Sequence, residues 1–134
     1  MRKKILIADD EPNIVTSLEY LMRKNGYEAG IARNGDEILP LVESFLPDIV
    51  LLDVMMPRQS GYAICQQIRA RPDWRHIKIV MLSAKGREVE VNKGLSFGAD
   101  AYVTKPFSNQ ELLKEIRGLL GRSGTEGQPG GLST

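Results

Sequence analysis

Five short apolar runs, each followed by a segment with helically spaced apolar residues, constrain the fold of this chain more than any other feature. The run Ile49–Leu52 is unbroken, which is typical of a strand covered by helices on both faces. Because crossovers between parallel strands need a helix, the alternation predicts an α/β fold, a (βα)5 doubly wound five-stranded parallel sheet. The predicted strands are Ile5–Ala8, Glu28–Ala32, Ile49–Leu52, Ile77–Leu82 and Ala101–Thr104.

The segments between the runs differ in how clearly they predict a helix. Pro12 fits the first turn of the first helix, and Asn25-Gly26 end that helix. Gly35 starts the second helix, where we expect Pro40, near the first turn, to cost about one backbone hydrogen bond or to bend the entry. The fourth segment, roughly residues 87–97, has the poorest apolar stripe and should pack least firmly. Inward positions of the other helices include Ile14, Leu18, Leu21, Met22, Ile38, Leu41, Val42, Phe45, Ile64, Ile68, Leu112, Leu113, Ile116, Leu119 and Leu120.

Length and composition indicate one ordinary globular domain. We place the domain at residues 1–121 and interpret residues 122–134, with four glycines and Pro129, as a flexible tail or the start of a linker. The net charge of +1 gives no overall basic field, so we predict no direct nucleic-acid contact. The single cysteine, Cys65, excludes an intrachain disulfide and favours a buried helical thiol. The first apolar run is too short for a signal peptide or a membrane span, which predicts a cytoplasmic protein without membrane association.

Polar side chains follow four of the five predicted strands. In open α/β sheets, ligands bind at the carboxyl ends of the strands, so these side chains should converge on one edge. Taken singly, each has an ordinary explanation: the first acids could cap the first helix, and a lone aspartate after a strand is usually a turn residue. Their joint occurrence favours a site. The residues are Asp9, Asp10, Glu11, Asp53, Ser83 and Lys105.

The side chains at these strand ends indicate phosphoryl chemistry. Asp9, Asp10 and Asp53 would repel one another unless they shared a cation, and Mg²⁺ prefers oxygen ligands. An aspartate carboxylate can act as a nucleophile and form an acyl phosphate. Lys105 would supply a compact positive charge for a phosphate oxygen.

At these residues the sequence resembles the receiver domain of two-component response regulators, from Lys3 to Gly121. Four tracts in the same order and at similar spacing make the resemblance specific, and they imply a flavodoxin/CheY-like fold. The tracts are Ile5–Pro12, Pro47–Pro57, Val80–Ala84 and Gly98–Phe107.

The resemblance implies roles for individual residues. Asp53 would be the phosphoacceptor and would receive its phosphoryl group from a histidine kinase, a phosphotransfer protein or a small phosphodonor. Mg²⁺, for which Mn²⁺ can substitute, would be held by Asp10, Asp53 and the backbone carbonyl of Met55, with Asp9 acting partly through water. The remaining implied roles are Ser83 as the hydroxyl that swings toward the phosphoryl group, Tyr102 as the aromatic that turns inward, Lys105 as the phosphate partner in a cis peptide with Pro106, and Gly61 where the loop turns sharply.

The resemblance also implies a switched protein-interaction surface around the fourth helix, fifth strand and fifth helix. Ala101 and Glu115 stand where DNA-binding members have an acid and a base, so that charge pair cannot form, whereas Asp100, Glu111 and Arg117 could make others. The protein could therefore be a monomer or a phosphorylation-dependent homodimer. Its output is a downstream protein target or a missing output domain of a larger regulator.

Three other functions agree less well with the sequence. An aspartyl-phosphate phosphohydrolase lacks support because the chain has no Asp-x-Asp pair on the first strand and no cap segment. A nucleotide-binding domain would need a glycine-rich phosphate loop, and none occurs. A receiver that has lost phosphorylation would not need the full set of acids. We therefore expect a signalling phosphoacceptor that assists its own phosphorylation, and not an enzyme acting on a separate substrate.

Overall fold

The computed structural model of the chain describes residues 2–83 and 98–125, with side chains in the last helix described up to residue 121. The predicted fourth helix, residues 87–97, lies outside the described residues. Helices and strands are numbered in chain order among those described, so α4 corresponds to the fifth predicted helix. The elements are β1 (Lys4–Ala8), α1 (Pro12–Lys24), β2 (Glu28–Ala32), α2 (Gly35–Phe45), β3 (Ile49–Asp53), α3 (Gly61–Arg69), a 3-10 turn (Pro72–Trp74), β4 (Lys78–Ser83), β5 (Ala101–Thr104) and α4 (Asn109–Thr125).

The five strands form one parallel sheet in the order β2-β1-β3-β4-β5. This arrangement confirms the predicted α/β doubly wound fold. From β1 the chain continues outward to β2 on one side and, through β3, to β4 and β5 on the other, so the switch point of the strand order lies between β1 and β3. In such sheets a crevice opens at the carboxyl ends of the strands at the switch point. The residues that follow β1 and β3 are therefore placed where the fold has room for a ligand.

Alternating strand residues pack into two apolar layers, one on each face of the sheet. Ile7 and Leu51 face α1 and α4, whereas Leu6 and Leu52 face α2 and α3. All four side chains are fully buried. Burial on both faces explains why these strands read as unbroken apolar runs.

Helix α2 continues through a proline in its interior. Asn34 caps the helix, since its side chain accepts a hydrogen bond from the Asp36 N–H at 2.9 Å. Pro40 is the sixth residue of the helix, beyond the first turn, where we had expected it near the entry. Ile38 and Val42 on either side are fully buried, and their packing holds the helix together despite the lost backbone donor.

Helix α4 extends beyond the boundary suggested by the sequence. It runs to Thr125, so the first four residues of the segment interpreted as a tail continue the helix. Pro129, the residue that cannot continue a helix, lies further along the chain. Local composition therefore placed the end of this helix too early.

Candidate functional site

Asp53 is the last residue of β3, and its carboxylate is almost fully enclosed. The residue is 6% exposed, and β3 and β4 pair next to it in parallel register. Its Oδ1 accepts a hydrogen bond from the Met55 N–H at 3.2 Å. The Met55 backbone is thereby fixed beside the Asp53 carboxylate, while the Met55 side chain is 78% exposed.

The two aspartates after β1 lie beside Asp53 but in different surroundings. Asp9 is fully buried and Asp10 is exposed. Asp9, Asp10 and Asp53 each present a carboxylate oxygen within 4.8 Å of the others. The N-cap of α1 is Glu11, whose side chain makes no capping hydrogen bond, but Asp9 Oδ1 accepts the Glu11 N–H at 2.9 Å and so also orders the start of the helix.

Lys105 joins the acidic residues from the fifth strand end. Its Nζ donates to Asp9 Oδ2 at 2.9 Å and lies 3.7 Å from Asp53 Oδ2 and from Glu11 Oε1. Only 14% of the side chain is exposed, so Lys105 is not a solvated surface charge. The Lys105–Pro106 peptide is cis, as the resemblance implied.

Burial and the neighbouring charges shift two pKa values in this cluster. Burial raises the pKa of Asp53 from 3.8 to about 6; Lys105 opposes the increase and Asp9 adds to it. Burial lowers the pKa of Lys105, but the hydrogen bond to Asp9 and the nearby carboxylates outweigh it and raise that pKa overall. Lys105 is therefore charged at neutral pH, and the Asp53 carboxyl, with a pKa of about 6, is mostly ionised there.

Ser83 and Tyr102 lie on the neighbouring strands β4 and β5. Ser83 ends β4, is 6% exposed and pairs in register with Thr104. Its carbonyl accepts the Lys105 N–H, which fixes the chain that carries the lysine. Tyr102 is half-buried against the α2 and α3 layer, and its buried hydroxyl has no hydrogen-bond partner in the described part of the chain.

The loop after β3 is held by a close approach of backbones. A Cβ on Gly61 would lie 2.5 Å from the Asp53 carbonyl oxygen and 2.9 Å from Val54 Cα. Gly61 is the first residue of α3 and has no positive φ, so close contact, and not the sharp turn we expected, explains the glycine. The left-handed residue of the loop is Arg58, with φ of 78°.

A family profile for the response regulator receiver domain matches residues 5–117, most of the chain. The chain belongs to this family. The receiver domain is 42% identical over 123 residues to the alkaline phosphatase synthesis transcriptional regulatory protein PhoP of Bacillus subtilis (strain 168), covering 92% of this chain and 50% of that protein. The chain thus spans half the length of this curated relative.

Solved structures show the same fold. A protein assigned as a response regulator from Chloroflexus aurantiacus J-10-fl is 34% identical, with a TM-score of 0.87 over 91% of this chain and 100% of the other. The chemotaxis response regulator CheY4 of Vibrio cholerae is 26% identical, with a TM-score of 0.84 over 89% of this chain and 99% of the other. The chain is therefore a receiver domain of the two-component response regulators, and it has a CheY-like fold.

The donor set of the acidic cluster fits a hard divalent cation. Asp9, Asp10 and Asp53 offer carboxylate oxygens only, which suit Mg²⁺ better than a softer transition metal. The 4.8 Å limit on their separation allows one ion to be shared. In the described ranges, no helix combines the length and apolar content needed to cross a membrane.

Glu11, which the sequence placed among the polar residues of this edge, lies 3.7 Å from the Lys105 ammonium. One ion pair near the site was not predicted. Arg69 pairs with Asp100 at 2.6 Å and donates to the Gly98 carbonyl at 2.8 Å, which ties α3 to the start of β5. No spacing rule links residues so far apart in the chain.

The three charged residues that could form pairs across a dimer, Asp100, Glu111 and Arg117, already have partners within the chain. Asp100 accepts from Arg69 and from the Ile79 N–H. Glu111 accepts from the Ser108 N–H at 3.0 Å, and Arg117 donates to Asn25 Oδ1 at 3.1 Å. An intermolecular pair would have to compete with these contacts.

Proposed function

We propose that Asp53 accepts a phosphoryl group from a histidine kinase or a phosphotransfer protein. One observation carries the proposal: a buried carboxylate at a strand end lies 3.7 Å from the Lys105 ammonium, beside two further aspartates. A carboxylate nucleophile, a fixed cation and a shared metal position are the parts that phosphoryl transfer needs. Membership in the receiver family supports the same role.

The proposed metal ligands are Asp9, Asp10, Asp53 and the backbone carbonyl of Met55. Bound Mg²⁺, or Mn²⁺ in its place, would neutralise charge on the transferring group. The Met55 N–H already donates to Asp53, so the loop that carries the carbonyl is held against the acid. Asp10, the exposed member, lies on the side from which an ion can enter.

The residues of the chain do the remaining work. An Asp53 carboxylate oxygen would attack the phosphorus, forming an acyl phosphate as the bond to the donor breaks. Lys105 is held by Asp9, so its ammonium is positioned before the phosphoryl group arrives. The site therefore needs little rearrangement to stabilise the transferring charge.

The proposed switch uses Ser83 and Tyr102. Phosphorylation would draw the Ser83 hydroxyl toward Asp53, and Tyr102 would turn inward behind it. The buried Tyr102 hydroxyl supports this, because it has no hydrogen-bond partner among the described residues and an unsatisfied buried donor favours a new position. β5 and α4 would then present a changed surface to a downstream protein or an output domain.

We favour an output domain in the same polypeptide over a separate protein target as the recipient of the signal. The chain spans half of PhoP, described as a transcriptional regulatory protein, so the other half of such a protein would carry the response. A downstream protein target remains the other form. In a longer regulator that contains this receiver domain, phosphorylation should change the output activity, and Asp53→Asn should abolish that change.

Intact-mass spectrometry tests the phosphoacceptor directly. After incubation with acetyl phosphate and Mg²⁺, the parent chain should gain one phosphoryl group, and Asp53→Asn should gain none. Glu28→Gln, which removes an exposed acid far from the site, is the matched control and should gain one. Uptake by Asp53→Asn, or none by the parent, would contradict the assignment.

A further inference from the structure

The end of the sheet opposite Asp53 carries a basic patch around an exposed leucine. A surface cavity of about 350 Å³ lies elsewhere between α2 and α3, but this smaller one, about 270 Å³, combines charge with apolar surface. We call it the strand-start patch. It is lined by Arg2, Lys3, Lys4, Leu46 and Asp48.

The backbone of the strand-start patch is fixed. The Lys3 carbonyl accepts the Glu28 N–H at 2.9 Å, and the Lys4 carbonyl accepts the Asp48 N–H at 2.7 Å. The Lys4 N–H in turn donates to Asp48 Oδ2 at 2.8 Å. Lys4 belongs to β1 and Lys3 is tied to β2 through its carbonyl, so a partner would meet these two cations already in place, and Arg2 directly precedes them.

Leu46 is unusual in both conformation and exposure. It ends α2 with φ of 56°, a left-handed conformation that glycine or asparagine adopts more easily, and it is 57% exposed. The neighbouring Phe45 is held in place, because its ring packs against Gly30 and lies 5.6 Å from Lys4 Nζ. Leucine is therefore not selected here by the backbone conformation or by burial in the core. Its exposed side chain is available for contact with a partner.

The charges of the patch indicate the chemistry of that partner. Three cations line the cavity together with Leu46, and the one lining carboxylate, Asp48, already accepts a backbone hydrogen bond. We propose that the strand-start patch binds an acidic protein segment, with carboxylates flanking one apolar side chain that contacts Leu46. Nucleic acid fits less well, because the lining includes an exposed apolar side chain and the chain has a net charge of only +1. This binding does not depend on phosphorylation of Asp53.

Fluorescence anisotropy with a labelled peptide tests the proposal on the full chain. The probe is fluorescein-Glu-Asp-Glu-Leu-Glu-Asp-Glu, in which one apolar side chain is flanked by acids, and the control peptide replaces each acid by its amide. Lys3→Glu and Leu46→Gly should each weaken probe binding by about fivefold or more. Leu46→Gly suits its backbone conformation, so it tests the side chain without unfolding the chain.

Matched variants at another exposed surface complete the experiment. Lys24→Glu and Tyr20→Ala change a cation and an exposed apolar residue on α1 and should leave the dissociation constant unchanged. Asp53→Asn should also bind the probe normally, which separates this test from that of the proposed function. The proposal would be overturned by no binding at about 1 mM probe, by equal binding of the amide peptide, by full binding to Leu46→Gly, or by tighter binding of a DNA duplex than of the probe.

Discussion

Asp53 is placed where burial opposes the charge that its proposed chemistry requires. A carboxylate enclosed by protein loses hydration, and Asp9 and Asp10 add repulsion, so its pKa rises to about 6. Lys105 recovers part of this loss. In the metal-free chain, the ionised carboxylate therefore reduces stability, and a bound cation would relieve that effect.

Replacing Asp53 by asparagine should stabilise the metal-free receiver domain at pH 7. Between the usual pKa of 3.8 and about 6, the folded chain binds more protons than the unfolded chain, so its free energy of unfolding falls as pH rises through this range. Asparagine cannot ionise, so the free energy of unfolding of Asp53→Asn should exceed that of the parent by at most about 3 kcal/mol, at roughly 1.4 kcal/mol per unit of pKa increase. Urea unfolding in EDTA measures the difference.

The pH dependence provides the control for that experiment. The gain should shrink as the pH is lowered from about 7 to about 4.5, because the parent carboxyl becomes protonated while still folded. Glu28→Gln, at an exposed acid, should show no such trend. A gain that is constant with pH, or a loss at pH 7, would show that Asp53 is not held in this way.

At the scale of elements, the site depends on how β3 passes into α3. Gly61 lets the first turn of α3 lie against the backbone of Asp53 and Val54, and its N–H donates to the Val54 carbonyl at 2.8 Å. The same residues that position Asp53 therefore also begin the next helix. A change in this packing should affect the site and the stability of the fold together.

Gly61→Ala should destabilise the domain by about 1–3 kcal/mol, because the added methyl group contacts rigid backbone and not a flexible side chain. Gly121→Ala is the matched control, since no described residue lies within 4 Å of its Cβ position in α4. Gly121→Ala should stabilise the domain by about 0.5–1 kcal/mol, because alanine has a higher helix propensity than glycine. Thermal unfolding compares the two, and equal effects would contradict the close approach at Gly61.

The sequence predicted the elements well and some of their details less well. Strands such as Ile49–Asp53 were recognisable because burial on both faces leaves an unbroken apolar run. Pro40 was placed too near the helix entry, and the end of α4 was placed too early, because packing and distant residues decide such boundaries. The ion pair between Arg69 and Asp100 was not foreseen, since it depends on side-chain directions across the fold.

For the whole molecule, the fold gathers the acids of separate strands at one end of the sheet. Asp9 and Asp53 were predicted to meet because parallel strands share one carboxyl edge, and the structure places them together. The direct hydrogen bond from Lys105 to Asp9 could not be predicted, because periodicity gives positions and not side-chain distances. The roles of these residues in signalling remain our proposal.

Lys105→Ala should separate phosphorylation from the response of the whole domain. The variant should accept a phosphoryl group roughly tenfold or more slowly, since no ammonium remains 3.7 Å from Asp53. Once phosphorylated, it should show fewer amide shift changes along β5 in NMR spectra. Lys114→Ala, at an exposed lysine of α4, is the control and should respond as the parent does. A full response in Lys105→Ala would contradict the role of the lysine.

The most direct test of the central claim identifies the residue that carries the phosphoryl group. Borohydride reduces an acyl phosphate on aspartate to homoserine, so peptide mapping after acetyl phosphate and Mg²⁺ treatment reveals the modified position. We predict homoserine at position 53 and unchanged aspartate at positions 9 and 10. Homoserine at either of those two positions, or at none of the three, would contradict the account.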